Sequence, residues 1–290
     1  MRVYLDFQVW DYINKDEKVR DFFVKKQDWT YLISVAHLEE LYKARKSEKG
    51  DKIGLTDKLE KTIKEIAEDG VIKPTPDGVK FIPKSFAKTY NDIVNYDTRN
   101  IILERSLLRR DIDKAAYDPK DLFEGIQHDK NKEYEIVWQT ERVKAELLKR
   151  KDNCFKLILE LSSPNNALRK ALTDQYGVKI AEQKLYELIE NSKIEITPCM
   201  YSQIRDNYGA LEYVIEQLFF VLTRCGFKRD GSDKHANSGT YDIQHSISAT
   251  LCDIFVTNDI PFAEKFRAVV FYLGIPLKIK TWKEDILPEL

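Results

Sequence analysis

Short apolar runs that end in a polar residue and give way to helical spacing recur at both ends of the chain. Val3-Tyr4-Leu5 leads into Asp6, and helical spacing follows from about Val9 to Lys26. Tyr31-Leu32-Ile33 meets Ser34, a good N-cap for a helix to about Lys46, and a charged helix covers about Thr56 to Asp69, ending at Gly70. Such runs read as buried parallel strands entering loops, and their alternation with helices predicts a parallel sheet covered on both faces. The middle differs. From about Pro74 to Asn191 the pattern is mostly long, charged and helical, as in Arg99 to Arg110 and Glu133 to Lys151, with no repeat and no low-complexity linker. This predicts an all-helical insertion over 74–191 within an α/β domain formed by 1–73 and 192–290. The second half reads as a strand at Ile194-Glu195-Ile196, an apolar helix around Leu211 to Leu222, and a polar loop from Lys228 to Gly239. A helix from Asp242 to Leu251 follows, then Ile254-Phe255-Val256-Thr257-Asn258 leading into Asp259, a helix from Phe262 to Tyr272, and a last strand at Leu277-Lys278-Ile279.

Two of these strands end in aspartate. In open α/β sheets, ligands bind beyond the carboxyl ends of the strands, near the point where strand order reverses. Asp6 and Asp259 are therefore expected to be neighbours despite the sequence between them. A carboxylate directly after a buried strand is costly unless solvated or paired, which singles out Asp6. In the helix after Ser34, Glu39 has Lys43 four residues on, the favourable orientation for a solvated pair, whereas Glu40 shares its face with Ala36 and Ala44. Glu40 is thus assigned to the site and Glu39 to solvent. In the helix from Asp242, the residues Asp242, His245, Ser246 and Ala249 share one face beside an apolar stripe of Ile243, Ile247, Thr250 and Leu251. Structural roles compete with these assignments: Asp242 in a first helical turn suits the helix dipole, and Asp259 or Asn258 before Pro261 is a good N-cap. Four carboxylates at one sheet edge repel unless a cation is present, and all-oxygen ligation suits Mg²⁺ or Mn²⁺ rather than Zn²⁺.

The residues that carry this argument also carry a resemblance. Tyr4-Leu5-Asp6, Ile33-Ser34 through Glu40-Leu41, Asp242 with Ala249, and Val256-Thr257-Asn258-Asp259 followed by Phe262 resemble, in order and spacing, the motifs of PIN-domain nucleases. The resemblance spans roughly 1–73 and 192–290. It implies a three-layer α/β/α sandwich with a central parallel sheet, and a metal-binding catalytic quartet of Asp6, Glu40, Asp242 and Asp259. Thr257 and Asn258 become supporting polar residues, Gln8 a hydrogen-bond donor to the acids, and His245 a hydrogen-bonding or packing residue rather than a ligand. Phe7 and Gln8 stand where family members often carry a small hydroxyl residue and then Asn, and the helical insertion is larger than in compact members.

The remaining features narrow the field. The 290 residues carry a formal net charge of only −1, so wholesale electrostatic attachment to nucleic acid or membrane is not indicated. Cys154, Cys199, Cys225 and Cys252 form no C-x-x-C pair, the start is too soon acidic for a signal peptide, and no apolar stretch approaches membrane-spanning length. These point to a reduced, cytoplasmic protein without a membrane partner. His37, His128 and His235 show no ligand spacing, and no Gly-rich phosphate loop follows the first strand. Lys43, Arg45, Lys46 and Lys49 on one side, and Lys228, Arg229, Lys234 and His235 on the other, suit substrate phosphates, although in so charged a chain such clusters also read as solvated faces. The expected activity is divalent-metal-dependent phosphodiester hydrolysis, with an endoribonuclease favoured. In that mechanism a metal-activated water attacks phosphorus in line and leaves a 5′ phosphate and a 3′ hydroxyl. A DNA-directed nuclease and a non-cutting PIN-like scaffold that binds RNA or a protein partner remain open. A protein partner or a second copy would bind through the helical insertion.

Overall fold

The computed structural model describes residues 1–48, 54–95, 130–149, 171, 174–175, 184, 201–228 and 238–290. Strand β1 (Arg2–Leu5) runs through the middle of a four-stranded, wholly parallel sheet of order β2-β1-β5-β6, with β2 at Thr30–Leu32, β5 at Ile254–Thr257 and β6 at Lys278–Thr281. The chain winds outward from β1 to β2 and returns on the other side to β5 and β6. The order therefore reverses between β1 and β5, which lie side by side with Tyr4 opposite Phe255 and Leu5 opposite Val256.

Alternation along these strands separates two cores. Val3, Leu5, Tyr31, Ile33, Ile254 and Val256 face one hydrophobic cluster, whereas Tyr4, Leu32 and Phe255 face the other. The first cluster is closed by α1 (Phe7–Lys15), α2 (Glu17–Lys25), α3 (Val35–Ser47), α4 (Leu55–Ile66) and α5 (Phe86–Asn95). The second is closed by α6 (Lys130–Gln139), α7 (Glu141–Lys149), α8 (Tyr208–Arg224), α9 (Ser238–Ala249) and α10 (Ile260–Leu273). The architecture is α/β, with a parallel sheet packed by helices on both faces.

Several elements differ from the sequence reading. The single helical pattern from Val9 to Lys26 is two helices, because the Asp16 side chain caps α2 by accepting from the Lys18 and Val19 amides. Residues Gly70–Thr75 and Gly78–Pro83 form an antiparallel hairpin, β3 and β4, where the sequence reading has a helix end and then helical spacing. The turn decides it: Gly78 has φ +93°, and a Cβ there would stand 2.0 Å from the Arg205 carbonyl oxygen. β3 adjoins β2 through the Ile72 amide, which donates to the Ile33 carbonyl at 2.7 Å. Helix α9 starts at Ser238, so Asp242 lies beyond the first turn and gains little from the helix terminus.

The described parts of 74–191 share the cores of the sheet domain. Helix α5 packs Phe86, Tyr90 and Ile93 into the first cluster. In α6, Trp138 donates from Nε1 to the Ala268 carbonyl at 2.8 Å, and the Tyr134 hydroxyl donates to Glu264 at 2.9 Å, both partners lying on α10. The strand expected at Ile194-Glu195-Ile196, most of the expected insertion, and Cys154, Cys199, His128 and His235 lie outside the described residues.

Candidate active site

Asp6 follows β1 directly, and Asp259 follows β5 by one residue beyond Asn258, so both stand at the same edge of the sheet where strand order reverses. Asp6 is half-buried and its carboxylate has two protein donors: the Phe7 amide at 2.7 Å, which caps α1, and the Thr257 hydroxyl at 2.6 Å. The fully buried Thr257 Oγ1 also accepts from the Asp259 amide at 3.1 Å. One hydroxyl therefore ties the two strand ends together. Asp259 is itself the N-cap of α10, accepting from the Phe262 amide at 2.9 Å with Pro261 in the first turn. Asn258 donates from Nδ2 to the Tyr12 hydroxyl at 2.8 Å, and its Oδ1 is buried without a hydrogen-bond partner.

Glu40 stands on α3 and Asp242 on α9, and their charges meet that of Asp6 at His245. Glu40 Oε2 lies 2.8 Å from His245 Nε2, with His245 almost wholly buried and Glu40 partly exposed. Burial raises the Glu40 pKa, Asp6 adds to the rise, and His245 and Lys43 work against it. Burial alone would lower the His245 pKa, but Glu40, Asp6 and Asp242 together raise it. Burial is thus the first cause of the Glu40 rise and the neighbouring acids the cause of the His245 rise, and both shifts run toward the protonated forms. The charges of Asp6, Glu40 and Asp242 are thus felt at one imidazole, and Glu40 rather than Glu39 is the member of its pair that contacts it.

Beneath the carboxylates runs a buried polar chain that the sequence pattern does not reveal. His245 Nδ1 lies 2.7 Å from the Tyr4 hydroxyl, which lies 2.5 Å from Ser34 Oγ. The Ser34 amide donates to His37 Nδ1 at 3.1 Å, and His37 Nε2 donates to the Leu5 carbonyl at 2.6 Å. A carbonyl only accepts, so Nε2 carries the proton and Nδ1 is the acceptor. Burial and the neighbouring His245 hold the His37 pKa well below the ordinary imidazole value, which keeps the ring neutral. The Tyr4 phenol is pushed up by burial and keeps its proton. The one available signal was the Ser34-x-x-His37 spacing across a helix start, which suits a reciprocal cap.

The other expected site residues are scattered. Gln8 is exposed on α1, and among the described residues no hydrogen bond joins it to the acids. Lys43 is exposed with Nζ 5.3 Å from the Tyr241 ring centre, and it is close enough to Glu40 to oppose the rise in its pKa. Lys46 sits 4.4 Å over Tyr42. Arg45 is committed to structure: it pairs with Asp57 at 2.6 Å and Glu60 at 2.7 Å and donates to the Tyr90 hydroxyl. Lys228 is exposed with a left-handed backbone, whereas Arg229 lies outside the described residues, as do Lys49, Lys234 and His235.

Carboxylate oxygens and the orphaned Asn258 Oδ1 match a hard divalent cation by donor chemistry. Among the described residues, no three His, Cys, Asp or Glu side chains converge as a ready-made ligand set. Also among the described residues, no helix is long and apolar enough to cross a membrane. No family model, curated protein or solved structure matches the chain. What this edge can do follows from its own residues.

Proposed function

We propose that the chain is a divalent-metal-dependent phosphodiester hydrolase on a PIN-like scaffold, acting as an endoribonuclease in the cytoplasm. The observation that carries this reading is the joining of Asp6 and the Asp259 backbone through the Thr257 hydroxyl at the β1–β5 switch point. The negative charges of Glu40 and Asp242 act together with that of Asp6 on His245, which supports the reading. Asp6, Glu40, Asp242 and Asp259 would hold Mg²⁺ or Mn²⁺, which would supply positive charge to acidify a water and to stabilise the phosphorane-like transition state. The protein's own groups do the rest. Thr257 holds the Asp6 carboxylate, His245 holds Glu40, and exposed Lys43 offers a cation to a substrate phosphate. The segment 74–191 would be an elaboration of the PIN-like core.

A second reading, a scaffold that binds RNA or a protein without cutting, is favoured by the capping roles that Asp6 and Asp259 already fill at the starts of α1 and α10. A cleavage assay on single-stranded and structured RNA and DNA, with and without Mg²⁺ and Mn²⁺, separates the two. The nuclease reading expects metal-dependent products with 5′ phosphates that vanish in Asp242→Asn. Metal-independent cleavage, or binding without any cleavage, rejects it.

A further inference from the structure

Glu40 is held from behind. His245 presents Nε2 to the Glu40 carboxylate at 2.8 Å, and its other nitrogen ends on the Tyr4 hydroxyl at 2.7 Å. Both rings are buried, with Tyr4 fully enclosed, so neither His245 nitrogen has water as an alternative partner. An imidazole held at only one nitrogen swings about its Cβ–Cγ axis, whereas one held at both has its orientation set. Tyr4 belongs to β1, two residues before Asp6, and its ring is wedged by His37 at 4.7 Å and Phe255 at 5.8 Å between ring centres. Its hydroxyl therefore has a position fixed by the central strand of the sheet.

The partners around that hydroxyl suit this role. It can donate to His245 and accept from Ser34, or accept from His245 and donate to Ser34, and both hydrogen bonds survive in either arrangement. The far end of the chain is pinned by His37, whose Nε2–H donates to the Leu5 carbonyl, one residue from Asp6. Glu40 on α3 and the β1 end that carries Asp6 are thus referenced to each other through a run of buried side chains rather than through direct contact.

We propose that Tyr4 and His245 are positioning residues for Glu40: the Tyr4 hydroxyl locks the His245 ring, which in turn aims the Glu40 carboxylate at the Asp6 edge, where it helps to hold a divalent cation. This rests on the metal-site reading above. It adds that the cation's affinity depends on a phenol that never touches it. Hydrogen-bond partners one shell removed from a metal ligand typically change affinity by about 10- to 100-fold when removed.

The test uses Mn²⁺ itself, titrated into the full-length protein and followed by electron paramagnetic resonance, beside nitrogen-15 imidazole spectra recorded without metal. Tyr4→Phe keeps the ring and removes only the hydroxyl. The expected result is Mn²⁺ binding weaker than wild type by up to about 10-fold, the low end of the effect of a residue that bonds the ligand directly, together with faster exchange or loss of the His245 ring N–H signal. Ser34→Ala removes the other partner of the phenol, leaves it free to bond His245, and should retain that signal. If Tyr4→Phe binds Mn²⁺ like wild type and keeps the His245 signal, the proposal is overturned. If wild type binds no Mn²⁺, the metal reading fails, and an unaltered His245 signal in Tyr4→Phe then rejects the positioning role separately. Should Tyr4→Phe not fold, His245→Gln carries the same test, because its amide cannot span both partners; wild-type Mn²⁺ affinity in that variant overturns the proposal.

Discussion

The Thr257 hydroxyl donates to Asp6 Oδ2 at 2.6 Å, joining residues 251 apart in sequence at the ends of adjacent parallel strands. The same oxygen accepts the Asp259 amide, so a single buried group satisfies one charged acceptor and one backbone donor. Replacing it with the isosteric valine leaves both without that partner. Thr257→Val should destabilise the fold by about 1–3 kcal/mol, the range for leaving a buried polar group without its partner. Thr257→Ser should recover most of that loss. Urea denaturation of the three proteins checks the ordering, and equal midpoints for valine and threonine would contradict the bridge.

Metal should stabilise the folded chain if the acids bind it. A ligand that binds only the native state at about 100 times its Kd contributes about 2.7 kcal/mol. Asp242→Asn should abolish most of that gain while leaving the metal-free protein as stable or slightly more so. Asp6→Asn is a poorer control because Asp6 also caps α1 and accepts from Thr257. Melting with and without Mn²⁺ reads both variants, and melting of the wild type that ignores metal favours the non-cutting scaffold.

Lys43 and Arg45 stand two residues apart on α3 but should respond differently to substitution. Arg45 bridges α3 to α4 through Asp57 and Glu60 and touches Tyr90 on α5, with the pair to Asp57 well exposed. Arg45→Ala should cost about 1 kcal/mol of stability, the scale of partly exposed pairs, and leave RNA affinity nearly unchanged. Lys43→Ala with Lys46→Ala should instead weaken RNA binding and flatten its salt dependence, by about 0.7 in logarithmic slope for each single-strand phosphate no longer neutralised. Binding titrations at several salt concentrations decide it; an unchanged slope makes these lysines a solvated face.

His37 should make the protein acid-sensitive. Its folded pKa lies well below the ordinary value of 6.5, and its burial is the first cause. A group depressed in the folded state contributes stability that is present above the unfolded pKa. That contribution is lost as pH falls from about 6.5 toward the folded value, because the unfolded chain takes up the proton first. The raised pKa of His245 acts in the opposite sense: its contribution is present below the unfolded value and is lost as pH rises through the folded one. The comparison that isolates His37 is therefore wild type against His37→Gln, in urea midpoints at about pH 7.5 and 5.5, one unit either side of the unfolded value. The wild type should lose more stability across that interval than the variant, and parallel losses would place the acid sensitivity elsewhere.

Much of the candidate site was legible because local chemistry sufficed. Val3-Tyr4-Leu5 and Ile254–Thr257 are short apolar runs of the kind that buried parallel strands show, and a polar residue after each marks its exit from the sheet. Ser34 before a helical pattern, and Asp259 before Pro261, are caps that sequence alone signals. Where the signals competed, tertiary structure decided. Asp16 divides one helical pattern into two by capping the second half. The β3–β4 hairpin depends on Gly78 fitting against the Arg205 carbonyl, a close approach between distant segments. Arg45 reads as a solvated cation until α4 brings Asp57 and Glu60 alongside it. Periodicity assigns a residue to a face but not a partner to that face. For that reason the sequence could bring Asp6 and Asp259 to one edge, while only the packed sheet could make Tyr4 the link between Ser34 on one helix start and His245 on another helix.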